Sequence, residues 1–414
     1  MILRARIVLP LTQPPISDGA VFLSGERIQR VGRWRDLRAE SSESSVDLGE
    51  VMLMPGLVNA HCHLDYTHMA GQFPPPRHFI DWLKLITTTK AQWTAAEYRA
   101  SWLSGAEMLV RTGTTTVADI EAVPQLLPQI WDSTPLRILS FLEMIGITSR
   151  RPPDRVLQEA LDKIQTLPHQ RCLGGLSPHA PYSTVPALLE QSAEVARRRG
   201  WLLCTHVAES KPEFLMFTKA RGDMFEWLQR SGREMSDCGL GSPVKHLERC
   251  GVLRRNLLAT HVNYLARGDA ALLARRKVSV VHCPRSHAYF DHESFPLRRL
   301  YRAGVNVCLG TDSLASVIKT RRQDLELDML AEMRVLADRQ SWLSPKTILR
   351  MATVAGALAL ARGGVIGQLS PGALADIVAL PGPDTPKRAA EAVLEHRGRV
   401  AASMIEGAWV IPPA

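Results

Sequence analysis

The chain has 414 residues, 45% of them hydrophobic and 22% charged, with Gly 28 and Pro 27 spread along it, which excludes a disordered or collagen-like chain. A formal charge of +9 invites a nucleic-acid or membrane reading, but the basic residues are scattered, and the densest runs, Arg197-Arg198-Arg199 and Arg275-Arg276-Lys277, follow helix-like stretches where cations suit the negative end of the helix dipole. No stretch reaches the ~18 apolar residues of a membrane span, and the first residues show no small-residue cleavage pattern.

From Arg4 to Leu53, short apolar runs (Ala5 to Leu9, Gly19 to Leu23, Ile28 to Val31, Val51 to Leu53) alternate with turn residues, which predicts hairpins. The same texture returns in Gly364 to Gly367, Ala375 to Leu380, Val400 to Ile405 and Ala408 to Ile411. The two ends are expected to pair into one small β-sandwich domain, residues 1–53 with 364–414. Between them, β-branched apolar runs recur at Leu57 to Ala60, Thr114 to Ile120, Leu136 to Ile145, Leu173 to Leu176, Leu202 to Val207, Leu257 to Val262, Val278 to Val281 and Val305 to Leu309. Connectors such as Ala95 to Val110, Val156 to Leu167, Val185 to Arg199, Asp269 to Arg276 and Phe295 to Ala303 carry the apolar spacing of surface helices. Strand and helix alternating in this way predict a (β/α)8 TIM barrel over residues 54–363. The longest connector, 206–257, is expected to hold extra helices over one face.

The chemistry is written at the strand ends. Five of the runs close on a histidine or carboxylate: Asn59-Ala60-His61-Cys62-His63, Ser177-Pro178-His179, Thr205-His206-Val207-Ala208-Glu209, Thr260-His261 and Gly310-Thr311-Asp312-Ser313. In a barrel these ends face one bowl, so residues remote in sequence converge into a metal-site constellation. His61 and His63, alternate residues of one strand, share a face about 6 to 7 Å apart, which suits two cis ligands of a divalent metal.

Taken in order, MPGLVNAHCHLD (54–65), SPHAPYS (177–183), THVAES (205–210), VVHCPRS (280–286) and LGTDSLAS (309–316) resemble the amidohydrolase superfamily, in its branch of mononuclear-metal deaminases acting on purine-like rings. The segment from Gly367 to Ala379 is similar to that family's returning β-sandwich. The resemblance implies one divalent metal ion, Zn or Fe, with ligands mapping to His61, His63, His206 and Asp312. At the fourth strand end, where binuclear members carry a carbamylated lysine, this chain has His179, which favours one metal.

A divalent metal in such a set lowers the pKa of bound water from about 15.7 towards about 7. The ring nitrogen must be protonated as water's oxygen attacks, and Glu209, leaving the same strand end as His206, is placed to shuttle that proton. Asp312 is expected to take the second proton, and His261 to orient the attacking oxygen and stabilise the tetrahedral intermediate. The expected catalytic set is therefore Glu209, His261 and Asp312. The resemblance implies substrate contacts by His179, Glu209, Arg285 and Ser313.

His63 to Thr67, followed by Phe79-Ile80-Asp81-Trp82-Leu83, resembles the aminodeoxyfutalosine deaminases of an alternative menaquinone route, where an acidic residue follows the HxH pair and F-x-x-W starts the next helix. His287 stands where that group usually carries Asn, in a loop expected to rim the pocket. The expected substrate is thus 6-amino-6-deoxyfutalosine, with S-adenosylhomocysteine, methylthioadenosine, adenosine, or a guanine-like or triazine ring as alternatives. The partners expected are a nucleoside-like small molecule and water, with no nucleic acid and no membrane; self-association into a homo-oligomer is left open.

Plainer readings exist for each residue. His179 and His261 in isolation read as core histidines donating to carbonyls; Glu209 could pair with Lys211 on a solvated loop; His282 reads equally as a partner fixing a ligand or as packing. His68, His78, His246, His292 and His396 read as surface or loop residues. A silent barrel that only binds a small molecule is the non-enzyme alternative, weighed against the presence of all four ligand types and Glu209. The H-x-E and P-C-x-x-C pair of cytidine-type deaminases is absent. The seven cysteines, Cys62, Cys172, Cys204, Cys238, Cys250, Cys283 and Cys308, form no CxxC pair and read as reduced, buried thiols of a cytoplasmic protein.

Overall fold

The computed structural model describes residues 1–39, 43–148, 151–168, 171–319 and 325–414. Eight parallel strands form the central sheet in sequence order: β1 (Leu57–Cys62), β2 (Thr114–Glu121), β3 (Arg137–Met144), β4 (Leu173–Pro178), β5 (Leu203–Val207), β6 (Leu257–His261), β7 (Ser279–His282) and β8 (Asn306–Leu309). Every residue of β1, β2, β5, β6 and β7 is buried, the pattern of parallel strands covered on both faces. β8 returns to β1: the Thr311 and Asp312 N–H groups donate to the His61 carbonyl at 3.0 and 3.1 Å, and Cys62 bridges Asp312 in parallel. Gly310 makes that closure feasible, because a Cβ there would lie 2.7 Å from the His61 carbonyl oxygen.

The connecting helices begin and end on local signals. Ala95–Arg111 starts in a reciprocal capping box between Thr94 and Glu97. Pro186–Arg199 starts on proline and stops at left-handed Gly200. Its basic last turn is tied down by Glu194, which pairs with Arg197 and Arg198, and Arg276 pairs with Glu248. The 206–257 connector carries three helices, Lys211–Lys219, Asp223–Arg230 and Pro243–Arg249. Met216, Phe217, Met224 and Leu228 from the first two pack with Phe79, Ile80 and Tyr182, laying this layer over the C-terminal end of the barrel.

The two chain ends meet in a second, mixed sheet. Its strands run in the order Ala408–Ile411, Ala402–Ile405, Ile377–Pro381, Val51–Pro55, Ile2–Val8, Ile16–Ser24 and Arg27–Arg33, with Ser45–Asp47 also beside Ile2–Val8. The run from Gly364 to Gly367 forms only an isolated bridge, Gly363 to Ile366, rather than a strand. The sheet is fastened to the start of β3 by a buried charge cluster: Arg137 pairs with Asp376 and with Glu406 at 2.7 Å, and donates to Thr116 Oγ1 at 3.1 Å. Among the described residues no helix is long and apolar enough to cross a membrane.

Candidate active site

The C-terminal ends of β1, β4, β5, β6 and β8 deliver His61 and His63, His179, His206, His261 and Asp312 to one cavity floor. Two of them, His261 and Asp312, have φ of 74° and 55°, and Ala208 and Val262 at neighbouring strand ends 50° and 53°, left-handed values costing about 1–3 kcal/mol each for non-glycine residues.

The ligand atoms of His61, His63 and His206 lie within 4.8 Å of one another, and so do those of Glu209, His261 and Asp312. Asp312 Oδ1 joins the groups, 3.8 Å from both His61 Nε2 and His63 Nε2. His206 Nδ1 faces the His179 carbonyl at 2.8 Å, an acceptor only, so Nδ1 carries the hydrogen and Nε2 a lone pair. That Nε2 points at His63 Nε2 from 3.3 Å. His61 Nε2 is fully buried with no hydrogen-bond partner among the described residues. Converging imidazole nitrogens, with His61 Nε2 unpartnered, and a carboxylate oxygen beside them are the donor set of a divalent cation such as zinc, and the residues present fit one.

Around this floor, second contacts fix positions. Ser316 Oγ donates to Asp312 Oδ2 at 3.2 Å. Glu209 sits with Oε1 3.6 Å from His261 Nε2. Its loop is clamped by Glu213, which accepts the Ala208 and Glu209 N–H groups at 2.9 Å each, while Asn263 Nδ2 donates to the Glu209 carbonyl at 2.9 Å. Burial pushes the Glu209 carboxyl well above the usual range, and Asp312 and Glu213 add to the effect. Burial raises Glu213 to about 7 against the pull of its backbone donors. Asp119 plays the matching part beside β1, accepting the Leu64 N–H at 3.0 Å and Trp102 Nε1–H at 2.8 Å, which holds the turn after His63. Lys211 pairs with Glu293 and leaves Glu209 to the cavity.

A family model described as the amidohydrolase family matches residues 52–410. The chain belongs to the amidohydrolase family. A curated relative from Syntrophobacter fumaroxidans, named 5-methylthioadenosine/S-adenosylhomocysteine deaminase, is 32% identical over 371 residues, spanning 87% of this chain and 79% of the relative. A solved adenosine deaminase from Xanthomonas campestris with bound zinc superposes with a TM-score of 0.83 at 26% identity, covering 99% of this chain and 92% of that one. The Helicobacter pylori aminofutalosine deaminase in complex with methylthio-coformycin shares the fold, with a TM-score of 0.88 at 21% identity over 99% of this chain and 100% of that one.

In this amidohydrolase the cavity is lined by His63, His179, His206, Glu209, His261, Asp312 and Ser313, as the strand ends imply. Arg285 is not brought there. It lies on the short helix Pro284–Tyr289 and turns outward, its Nε 3.4 Å from Glu332 and its Nη1 donating to the Glu326 carbonyl at 2.8 Å. His282 stacks its ring on Phe295 at 3.7 Å, and its carbonyl accepts the Gly310 N–H. His246, expected at the surface, is buried: the helix Pro243–Arg249 packs inward, setting its ring on Phe217 at 4.7 Å and its Nε2 3.7 Å from Asp237.

Glu143, Lys90 and Trp227 line the cavity without being expected there from the sequence, and Trp82 is expected only as part of the F-x-x-W motif. Glu143, next to last in β3, obeys the same strand-end rule and carried a legible signal, a lone carboxylate in an apolar run. Trp82, Lys90 and Trp227 come from helices laid across the mouth, and no local pattern marks which face of those helices meets the cavity.

Proposed function

We propose that the chain is a hydrolase that removes the exocyclic amine of an adenine-type nucleoside as ammonia, with residues 54–363 as its catalytic unit. The observation that supports this best is the meeting of a metal-type donor set with a buried acid, Glu209, 3.6 Å from His261. His61, His63, His206 and Asp312 would hold one divalent ion, zinc or iron, which supplies water of lowered pKa at neutral pH. The protein's own groups do the rest. Water adds to the amine-bearing ring carbon, and Glu209 relays its first proton to the adjacent ring nitrogen. His261, its Nε2 making no hydrogen bond among the described residues, orients the incoming oxygen, and Asp312 accepts the second proton. Asp312 passes that proton to the amine, the C–N bond breaks, ammonia leaves and a ring carbonyl remains. His179 and Ser313 line the cavity where the ring would lie.

Within that class, the 63–67 and 79–83 motifs favour 6-amino-6-deoxyfutalosine, while the 32% identical relative favours methylthioadenosine or S-adenosylhomocysteine. Ammonia release from these three, adenosine and guanine ranks the readings. Turnover of guanine or a triazine alone would refute the adenine-type assignment. All seven cysteines are free and buried, which supports a reducing, cytoplasmic setting.

A further inference from the structure

One charged group in the cavity takes no part in these steps. Glu143, on β3, lines the same cavity with its side chain only 6% exposed. Among the described residues no hydrogen bond reaches its carboxylate; its neighbours are Lys90 Nζ at 3.6 Å and His179 Nε2 at 3.9 Å. Burial alone would raise its pKa, but Lys90, then His179, His63 and His206, hold it at about 2, so it is ionised at neutral pH. The residue as a whole is half-buried and its carboxylate faces the cavity, so oxygens that accept no hydrogen bond from the described residues are open to donors that a ligand supplies.

The surroundings narrow the donor. A cationic group is disfavoured because Lys90 already balances the charge, its ammonium seated on the Tyr66 ring at 4.7 Å. Neutral donors remain, and two adjacent ones match the two oxygens. Position points the same way. His179 stands between Glu143 and the nitrogen cluster, its ring 4.7 Å from that of His206, so Glu143 is offset from the cluster by one imidazole. A purine nucleoside offsets its sugar from its amine-bearing carbon in the same manner, by the width of the fused ring.

We infer that Glu143 is the sugar-reading residue of this site: its carboxylate accepts from the vicinal 2′- and 3′-hydroxyls of a ribonucleoside, with Lys90 keeping the carboxylate in place. This rests on the adenine-nucleoside reading above and adds the ribose to it.

The test uses metal-loaded full-length protein and the series adenosine, 2′-deoxyadenosine, 3′-deoxyadenosine and 2′,3′-dideoxyadenosine. Wild-type kcat/KM should favour adenosine over the dideoxy analogue by about ten- to hundredfold, the range for hydrogen bonds to a charged group, with each single deoxy analogue between. In Glu143→Gln the adenosine to dideoxyadenosine ratio should collapse towards one, with metal content unchanged. Equal wild-type kcat/KM for adenosine and dideoxyadenosine overturns the inference whether or not the variant folds. A ratio that survives in Glu143→Gln while all rates fall together also overturns it, reducing Glu143 to a prop for His179. Wild-type protein that acts on a free purine or triazine but on no nucleoside rejects the proposed function itself, and the sugar assignment with it.

Discussion

The two ends of the barrel treat buried polar groups in opposite ways. At the junction with the terminal sheet, Arg137, 3% exposed, is matched by Asp376, Glu406 and Thr116, so a buried charge is fully answered. At the catalytic end, His61 Nε2 and His261 Nε2 are buried without hydrogen-bond partners among the described residues, and His261 and Asp312 hold left-handed backbone. Satisfied charge fastens two sheets together. Unsatisfied nitrogen on strained backbone is retained only where something outside the chain completes it.

Removing that completion should have the largest effect. A His61→Ala variant, or wild type treated with a chelator, is expected to lose bound metal and nearly all turnover; metal analysis showing stoichiometric retention in His61→Ala would remove His61 from the ligand set. Next comes Glu209→Gln, expected to lower kcat by about 10² to 10⁴ with metal retained, the range for a general acid-base group; unchanged ammonia release would end the proton-relay assignment. Glu213→Gln should cost about ten- to hundredfold in activity, because one oxygen that accepts a backbone N–H becomes a donor facing it. Rescue of that loss in Glu213→Asp would show that the carboxylate, not its reach, matters.

Arg137→Met sharpens the contrast from the other side. It should leave kcat/KM unchanged and lower stability by about 3–5 kcal/mol, the cost of breaking one partner of a buried pair, as read from denaturant unfolding. Adding Asp376→Leu should recover much of the loss, since the one carboxylate of the cluster that remains, Glu406, is 24% exposed and can be met by solvent. A fall in kcat/KM for Arg137→Met would mean that the two ends are coupled.

Much of this was legible before folding because each strand-end residue abuts an apolar run that marks its strand. His61, His63, His206, His261 and Asp312 needed only the rule that barrel strand ends share a bowl. Arg285, which only the family resemblance placed at the substrate, faces away, since the turn into Pro284–Tyr289 rotates it towards Glu332, a partner 47 residues on. His246 looked like a surface residue because its helix carries Lys245, Glu248 and Arg249; burial came from Phe217 on a neighbouring helix. Trp82, Lys90 and Trp227 are set by how helices pack over the mouth, a matter of crossing geometry rather than local spacing.

By itself the sequence determined the eight-stranded barrel, the joining of the two ends and the residue types of the floor, because hydrophobic periodicity and strand-end position are local properties of the chain. Tertiary structure alone decided which nitrogens are left without partners, that Glu213 and Asp119 clamp the catalytic turns, and that Glu143 stands ionised one imidazole away from the cluster. Those are distances and desolvation between segments remote in sequence, and they exist only once the barrel has closed.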